Sequence, residues 1–284
     1  MPKSVAELID LLDLEAIEDN LFRGRQPQTT LQRVFGGQVA AHALVAATRT
    51  VQPEYVVHSL HSYFLRPGDT SVPIVYDVED VRNGRSFATR RVIARQHGHP
   101  IFALTSNFQK PEDGFDHQDA MPDVPAPDDC PSLLEARHSG GRDAEEWERE
   151  WAVLDVRYVG DSRPGGRLED PLFPGRAQLW IRVSGALPDD PLMHQAAFTY
   201  ASDMTLLAAT LIAHDRYIAS PDVQAASLDH AIWFHRPFRA DEWFLYDQHS
   251  PSASGGRGLA LARVFTQDGR LVADVAQEGL IRRV

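Results

Sequence analysis

At 284 residues, with 43% hydrophobic and 24% charged side chains, the chain has the composition of a folded globular protein and the length of two ordinary domains or one large one. A net charge of −12 argues against a nucleic-acid partner, because an acidic surface repels phosphate backbones. A single cysteine (Cys130) excludes an internal disulfide, and with no basic-apolar leader and no apolar run of membrane-spanning length the expectation is a cytoplasmic protein with no membrane partner.

Taken in order, the first predicted element is a helix over Ser4–Asp19. Ser4 caps it with Glu7 three residues on, and Val5, Leu8, Ile9, Leu12 and Ile17 keep the helical period. LFRGRQP reads as a short strand, and Val34–Thr50 as a mostly apolar helix entered through Gly36 and Gly37. Four strands follow at 56–65, 72–81, 87–96 and 100–109, separated by turn residues such as Arg82-Asn83-Gly84-Arg85 and His97-Gly98, a pattern of antiparallel hairpins. Pro111 to Pro131 has the Pro/Asp-rich composition of a linker, and Leu133 to Trp151, with its charged DAEEWEREW, reads as a surface helix. The strands VLDVRYVG and RAQLWIRVSG then lead to Tyr200–His214, which reads as one helix apolar nearly all round with Asp203 in its first turn.

From there the strand series repeats. Arg66-Pro67 falls on Arg236-Pro237, Tyr63-Phe64 on Trp233-Phe234, Gln96-His97-Gly98 on Gln267-Asp268-Gly269, and Phe35-Gly36-Gly37-Gln38 on Tyr200-Ala201-Ser202-Asp203. Two copies of one helix followed by four strands, about 170 residues apart, indicate an internal duplication. An all-apolar helix paired with an antiparallel sheet is covered when the sheet curls round it and the other copy closes the remaining side. The expected fold is therefore α+β, a double hot-dog, with repeats at 1–110 and 152–284 and a linker at 111–151.

Three polar residues of the second copy stand where apolar ones are expected: Asp203 at the helix, Ser227 opening a strand, and Gln277 in the otherwise small and apolar VADVAQEGL. A carboxylate, a hydroxyl and an amide converging on one space form a water-activating site, with Asp203 as the base. The first copy has Gln38 in place of Asp203 and Ser106 in place of Gln277, so it is expected to be chemically silent and to line the binding space. His61, His230 and His235 read as hydrogen-bonded structural histidines, and no spacing suggests a metal site. The arginines crowding one hairpin (Arg82, Arg85, Arg90, Arg91, Arg95) read as a solvated sheet face or as contacts for anionic groups.

FRGRQP, RVFGGQVAAHAL, VHSLHSYFLRPGD, NGRSFATRRVIARQ, SLDHAIWFHRPF and FTQDGRLVADVAQEGLIR together resemble the acyl-CoA thioesterase II family, in order, from about residue 7 to 284. The resemblance implies direct hydrolysis of acyl-CoA, of medium to long chain, by a water held on Asp203, Ser227 and Gln277. It also implies a first copy that lines the acyl tunnel and binds the coenzyme A part, no cofactor, and assembly as a homo-oligomer, dimer or tetramer. His58, which flanking valines otherwise mark as a hydrogen-bonded core histidine, and Arg85 of the arginine-rich hairpin are the candidate substrate contacts. Ser227 stands where bacterial members often carry Thr, and the hydroxyl is kept. Against this stand a non-catalytic acyl-CoA sensor of the same fold and a hot-dog hydratase. PDDPLMH at 188–194 faintly matches the hydratase pattern, but Asp190 replaces its Asn and Met193 displaces His194.

Overall fold

The repeated strands and the four that flank them join into a single antiparallel sheet in the computed structural model, which describes residues 1–139 and 149–284. The elements are α1 (Val5–Leu12), β1 (Glu15–Glu18), β2 (Leu21–Gly24), α2 (Gly36–Thr48), β3 (Val56–Phe64), β4 (Ile74–Asn83), β5 (Phe87–Gln96) and β6 (His99–Gln109) in the first half. The second half holds α3 (Leu133–Ser139), β7 (Leu154–Asp161), β8 (Arg176–Val183), α4 (Pro191–Ser202), a 3-10 turn (Leu206–Ala208), α5 (Ala209–Ile212), β9 (Val223–Ser227), β10 (Asp229–Phe234), β11 (Phe244–Ser254), β12 (Arg257–Thr266) and β13 (Leu271–Arg283).

Strand order is β1-β2-β4-β5-β6-β3-β10-β13-β12-β11-β8-β7, with β9 added on β13. Read from the β3–β10 seam outward, both arms follow one pattern, β3-β6-β5-β4-β2-β1 against β10-β13-β12-β11-β8-β7. The duplication legible in the sequence is thus a duplication of topology, and the fold is the double hot-dog. The seam is an antiparallel pairing, with Leu60 opposite Ile232 and Ser62 opposite His230. It lets two curled sheets share one hydrogen-bond ladder and leaves neither with an open edge there.

In the palm of the first arm lies α2, buried from Gly37 through Ala47. Its alanines allow the close approach of α4, the helix packed against it, and Leu44 and Val39 are buried in the same core. A fully buried Leu contributes about 2 kcal/mol, so Leu44→Ala would be felt at the whole-domain level. His42 ties α1 to this core, with Nε2 at 2.7 Å from Leu11 O and Nδ1 at 3.0 Å from Tyr76 Oη. Burial lowers its pKa to about 4, so it is a neutral ring donating through Nε2. On the second arm, Gly279 in β13 makes room for Leu207; a Cβ there would lie 2.2 Å from Leu207 Cδ1.

Three expectations are corrected by the structure. The first helix stops at Leu12: Arg49 holds Leu14 O at 2.5 Å and Asp13 Oδ1 at 2.6 Å, and Glu15–Glu18 pairs with β2 instead, leaving Ile17 46% exposed. The single helix over Tyr200–His214 does not exist. Asp190 caps a helix starting at Pro191, accepting from Leu192 N at 3.0 Å, and that helix ends at Ser202. The second copy carries five strands after its helix where four were expected: β9 ends at Ser227, and the Leu228 amide turns to Glu278 O before β10 begins. Of Leu133–Trp151, α3 covers Leu133–Ser139, and most of DAEEWEREW lies outside the described residues.

The Pro/Asp-rich linker is a strap laid on the second arm. Gln118 binds Gly269 O and the Leu271 amide, Trp180 Nε1 donates to Pro125 O, and Cys130 is buried beside Val159, Trp180 and Phe265. Burial raises the Cys130 thiol, in keeping with an inert side chain.

Candidate active site

Asp203 occupies the C-terminal end of α4, not the first turn of a helix. The helix stops there because its last carbonyls are taken by side chains: Tyr246 Oη donates to Ser202 O at 2.8 Å, and Ser202 Oγ to Thr199 O at 3.0 Å. Past the break, Gln248 Nε2 holds Thr205 Oγ1 at 2.6 Å before the 3-10 turn resumes. Beneath it, Ser202 Oγ meets His230 Nε2 at 2.8 Å, and burial lowers the pKa of His230 to about 3. Its ring is a neutral support, as the sequence reading of it holds.

Gln277 reaches the site from β13 and Ser227 from the end of β9, adjacent strands in which Gly279 pairs with Ser227. The Gln277 amide nitrogen bridges the other two, donating to Asp203 Oδ1 at 2.5 Å and to Ser227 Oγ at 3.2 Å. The three residues singled out from sequence therefore stand together. Gln277 is buried outright, while Asp203 and Ser227 keep partial access to a cavity of about 650 Å³.

The first repeat also reaches this point. α2 starts at Gly36 with no side chain capping its free amides, and that end faces Asp203. The Gly37 amide interacts with the carboxylate, and a Cβ on Gly36 would lie 2.6 Å from Asp203 Oδ2. Burial pushes the Asp203 carboxyl up to about 7, against the hydrogen bonds from Gln277 and Gly37 that pull it down. A helix C-terminus, where the macrodipole is negative, acts in the same direction as burial. The sequence reading left the first copy silent here; the uncapped Phe35-Gly36-Gly37-Gln38 start was the signal for its role.

The cavity runs between the repeats. Val39, Phe64, Phe102 and Trp151 give it an apolar wall on one side, and Met204, Leu207, Ala208 and Ile218 on the other. His58 and Arg85 do not line it. His58 Nε2 sits 3.1 Å from Asn107 Oδ1, and Arg85 is exposed at the β4–β5 turn. Of the crowded arginines, Arg90 is buried and spent on Thr50, Asn83 and Asp80. The hydratase-like run is equally remote: Asp190 is a helix cap, and His194 Nδ1 accepts from Ala240 N at 3.1 Å.

Comparison with known proteins is consistent over the whole chain. A profile described as acyl-CoA thioesterase matches residues 164–280, and one described as acyl-CoA thioesterase N-terminal domain matches residues 25–109. The chain is 38% identical to Acyl-CoA thioesterase 2 of Haemophilus influenzae, covering 97% of this chain and 96% of that protein. It is 38% identical to human Acyl-coenzyme A thioesterase 8, covering 96% and 88%. The crystal structure of an acyl-CoA thioesterase II, TesB2, from Mycobacterium marinum matches with a TM-score of 0.84 at 47% identity, covering 98% of both chains. A protein with a hot-dog fold from Alicyclobacillus acidocaldarius, 22% identical, shares the fold at a TM-score of 0.78 over 98% of both chains.

Proposed function

Because the chain belongs to the acyl-CoA thioesterase II family, and is therefore a thioester hydrolase acting on acyl-CoA, we propose that Asp203, Ser227 and Gln277 carry out the hydrolysis through a directly activated water. The observation that carries this reading is the single Gln277 amide bridging a carboxylate and a hydroxyl at the wall of the inter-repeat cavity. With its carboxyl near 7, Asp203 is ionised in a useful fraction at neutral pH and basic enough to take a proton.

In this mechanism the water oxygen forms a bond to the thioester carbonyl carbon as Asp203 accepts its proton. Ser227 and Gln277 fix the water, and the Gly37 amide at the start of α2 holds the Asp203 carboxylate in place. Collapse of the tetrahedral intermediate breaks the C–S bond, the carboxylic acid forms, and the proton on Asp203 passes to the departing coenzyme A sulfur. No acyl-enzyme arises. The apolar walls at Phe64, Phe102, Trp151 and Leu207 favour medium- to long-chain acyl groups.

The test is thiol release from acyl-CoAs of graded chain length by the wild type and Asp203→Ala. Turnover that collapses in the variant supports the reading; undiminished turnover sinks Asp203 as the base. The chain is also expected to self-associate through its outer sheet face, where Tyr63 (62% exposed) and Trp233 (37%) flank the β3–β10 seam. A monomer by light scattering at working concentration would exclude that.

A further inference from the structure

An Arg-Pro pair closes the same strand in both repeats, Arg66-Pro67 after β3 and Arg236-Pro237 after β10. Each arginine spends one nitrogen in the same way: Arg66 Nη1 donates to Pro100 O at 2.7 Å, and Arg236 Nη1 to Leu271 O at 2.7 Å. That bond ties the strand end to the neighbouring hairpin and is structural. The rest of each guanidinium is treated differently. Arg236 Nη2 is neutralised by Asp116 of the strap and also donates to His117 O at 3.2 Å. Arg66 is exposed, has no carboxylate partner among the described residues, and lines the cavity that holds Asp203. Arg33, the cavity's other arginine, is likewise exposed and without an ion-pair partner among the described residues.

Most arginines of this chain are matched with acids, as expected where the net charge is −12. Two unmatched guanidiniums on the wall of one cavity call for an anion. The rival arginine cluster, in a separate cavity near the C-terminal end of β13, lies away from Asp203 and is partly engaged. Arg216 pairs with Asp222 at 3.0 Å and Arg257 with Glu278 at 3.0 Å, Arg282 reaches the neutral Gln224 at 3.4 Å, and Arg283 stands 3.9 Å from the Asp222 that Arg216 already holds.

We infer that Arg33 and Arg66 form the phosphate-binding rim of the active-site cavity, receiving the phosphate groups of the coenzyme A portion of the substrate. The inference rests on the thioesterase reading and deepens it. Guanidinium groups hold phosphate oxygens by paired, charge-assisted hydrogen bonds. At exposed positions those contacts are screened by salt, so they select the nucleotide end of the substrate and leave the chemical step alone.

The experiment compares an acyl-CoA with the matching acyl-pantetheine, which carries the same thioester and no phosphate, for wild type, Arg33→Ala, Arg66→Ala and the double variant. Each substitution is expected to raise KM for acyl-CoA about tenfold, with kcat held within about threefold and acyl-pantetheine unaffected. The salt dependence of KM for acyl-CoA is expected to flatten in the double variant. Arg33→Ala breaks no structural hydrogen bond and keeps the test sound if Arg66→Ala disturbs the fold. Equal losses on both substrates, or no loss on either, would overturn the assignment, as would a selective effect from Arg216→Ala with Arg282→Ala in place of these two. Calorimetric binding of free coenzyme A and of pantetheine keeps the two readings apart. A wild type that turns over neither thioester, yet loses coenzyme A affinity in the double variant, sinks the hydrolase mechanism and leaves the phosphate rim standing.

Discussion

The two repeats agree strand for strand, yet at the facing ends of their helices they carry opposite things. The second presents Asp203, backed by Gln277 and Ser227. The first has Gln38 at the matching position, with its amide turned inward to Arg25 O at 3.3 Å and Gln26 Oε1 at 3.1 Å. Where the second has Gln277, the first has Ser106, buried with its hydroxyl unpartnered. What the first repeat supplies is backbone and surroundings: the glycine start of α2, an apolar wall and two arginines without an acidic partner among the described residues. A duplicated fold needs one set of reacting side chains only, because the cavity lies between the copies and each wall can specialise.

That division can be broken deliberately, and the largest effect belongs to the base. Asp203→Asn is expected to lower kcat by about 10³-fold, within the usual range for removing a general base, while Gln38→Ala stays within about threefold. Next comes the bridging amide. Gln277→Ala is expected to cost about 10²-fold in kcat by steady-state kinetics, and Ser106→Ala nothing measurable. A comparable loss in both members of either pair would refute the idea of a silent first repeat.

Helix starts give a third, smaller contrast. Gly36→Ala places a methyl against Asp203 and Phe64, both within 2.6 Å, and is expected to slow turnover about tenfold or more. Its counterpart Ala201→Gly touches no reacting group; thermal melting should register a loss of about 1 kcal/mol with kcat unchanged.

The pH dependence separates the repeats last. kcat/KM should rise with pH and inflect near 7, the value burial imposes on Asp203. Because that value lies above the ordinary 3.8, the native chain holds this proton more tightly than the unfolded one. The stabilisation is full below pH 3.8 and is lost as pH rises through 7. Asp203→Asn should therefore be more stable than wild type at pH 8, by at most about 4 kcal/mol. Equal melting temperatures at pH 8 would mean that the carboxylate is solvated and unstrained.

Much of this was legible in the chain itself. Period-2 alternation and turn residues located strands β3 to β6 within two or three residues, and the repeated Arg-Pro and Gln-x-Gly offsets exposed the duplication. Asp203, Ser227 and Gln277 stood out because a polar side chain breaks an apolar pattern wherever it sits. Helix ends were less readable. Apolar residues at 206–212 continue the period of α4, so nothing local marked the stop at Ser202. The stop comes from Tyr246, 44 residues away, taking a carbonyl that the next turn would have used.

Sequence alone determined the repeat, the double hot-dog and the trio of polar residues, because each is written in periodicity, spacing or a break in pattern within one stretch of chain. Only the tertiary structure decided that α2 of the first repeat points its uncapped start at Asp203, that the linker is a strap, and that Arg236 is neutralised by Asp116 while Arg66 has no carboxylate partner among the described residues. Those facts depend on which groups meet across more than a hundred residues, and burial and ion pairing are properties of the meeting, not of either segment.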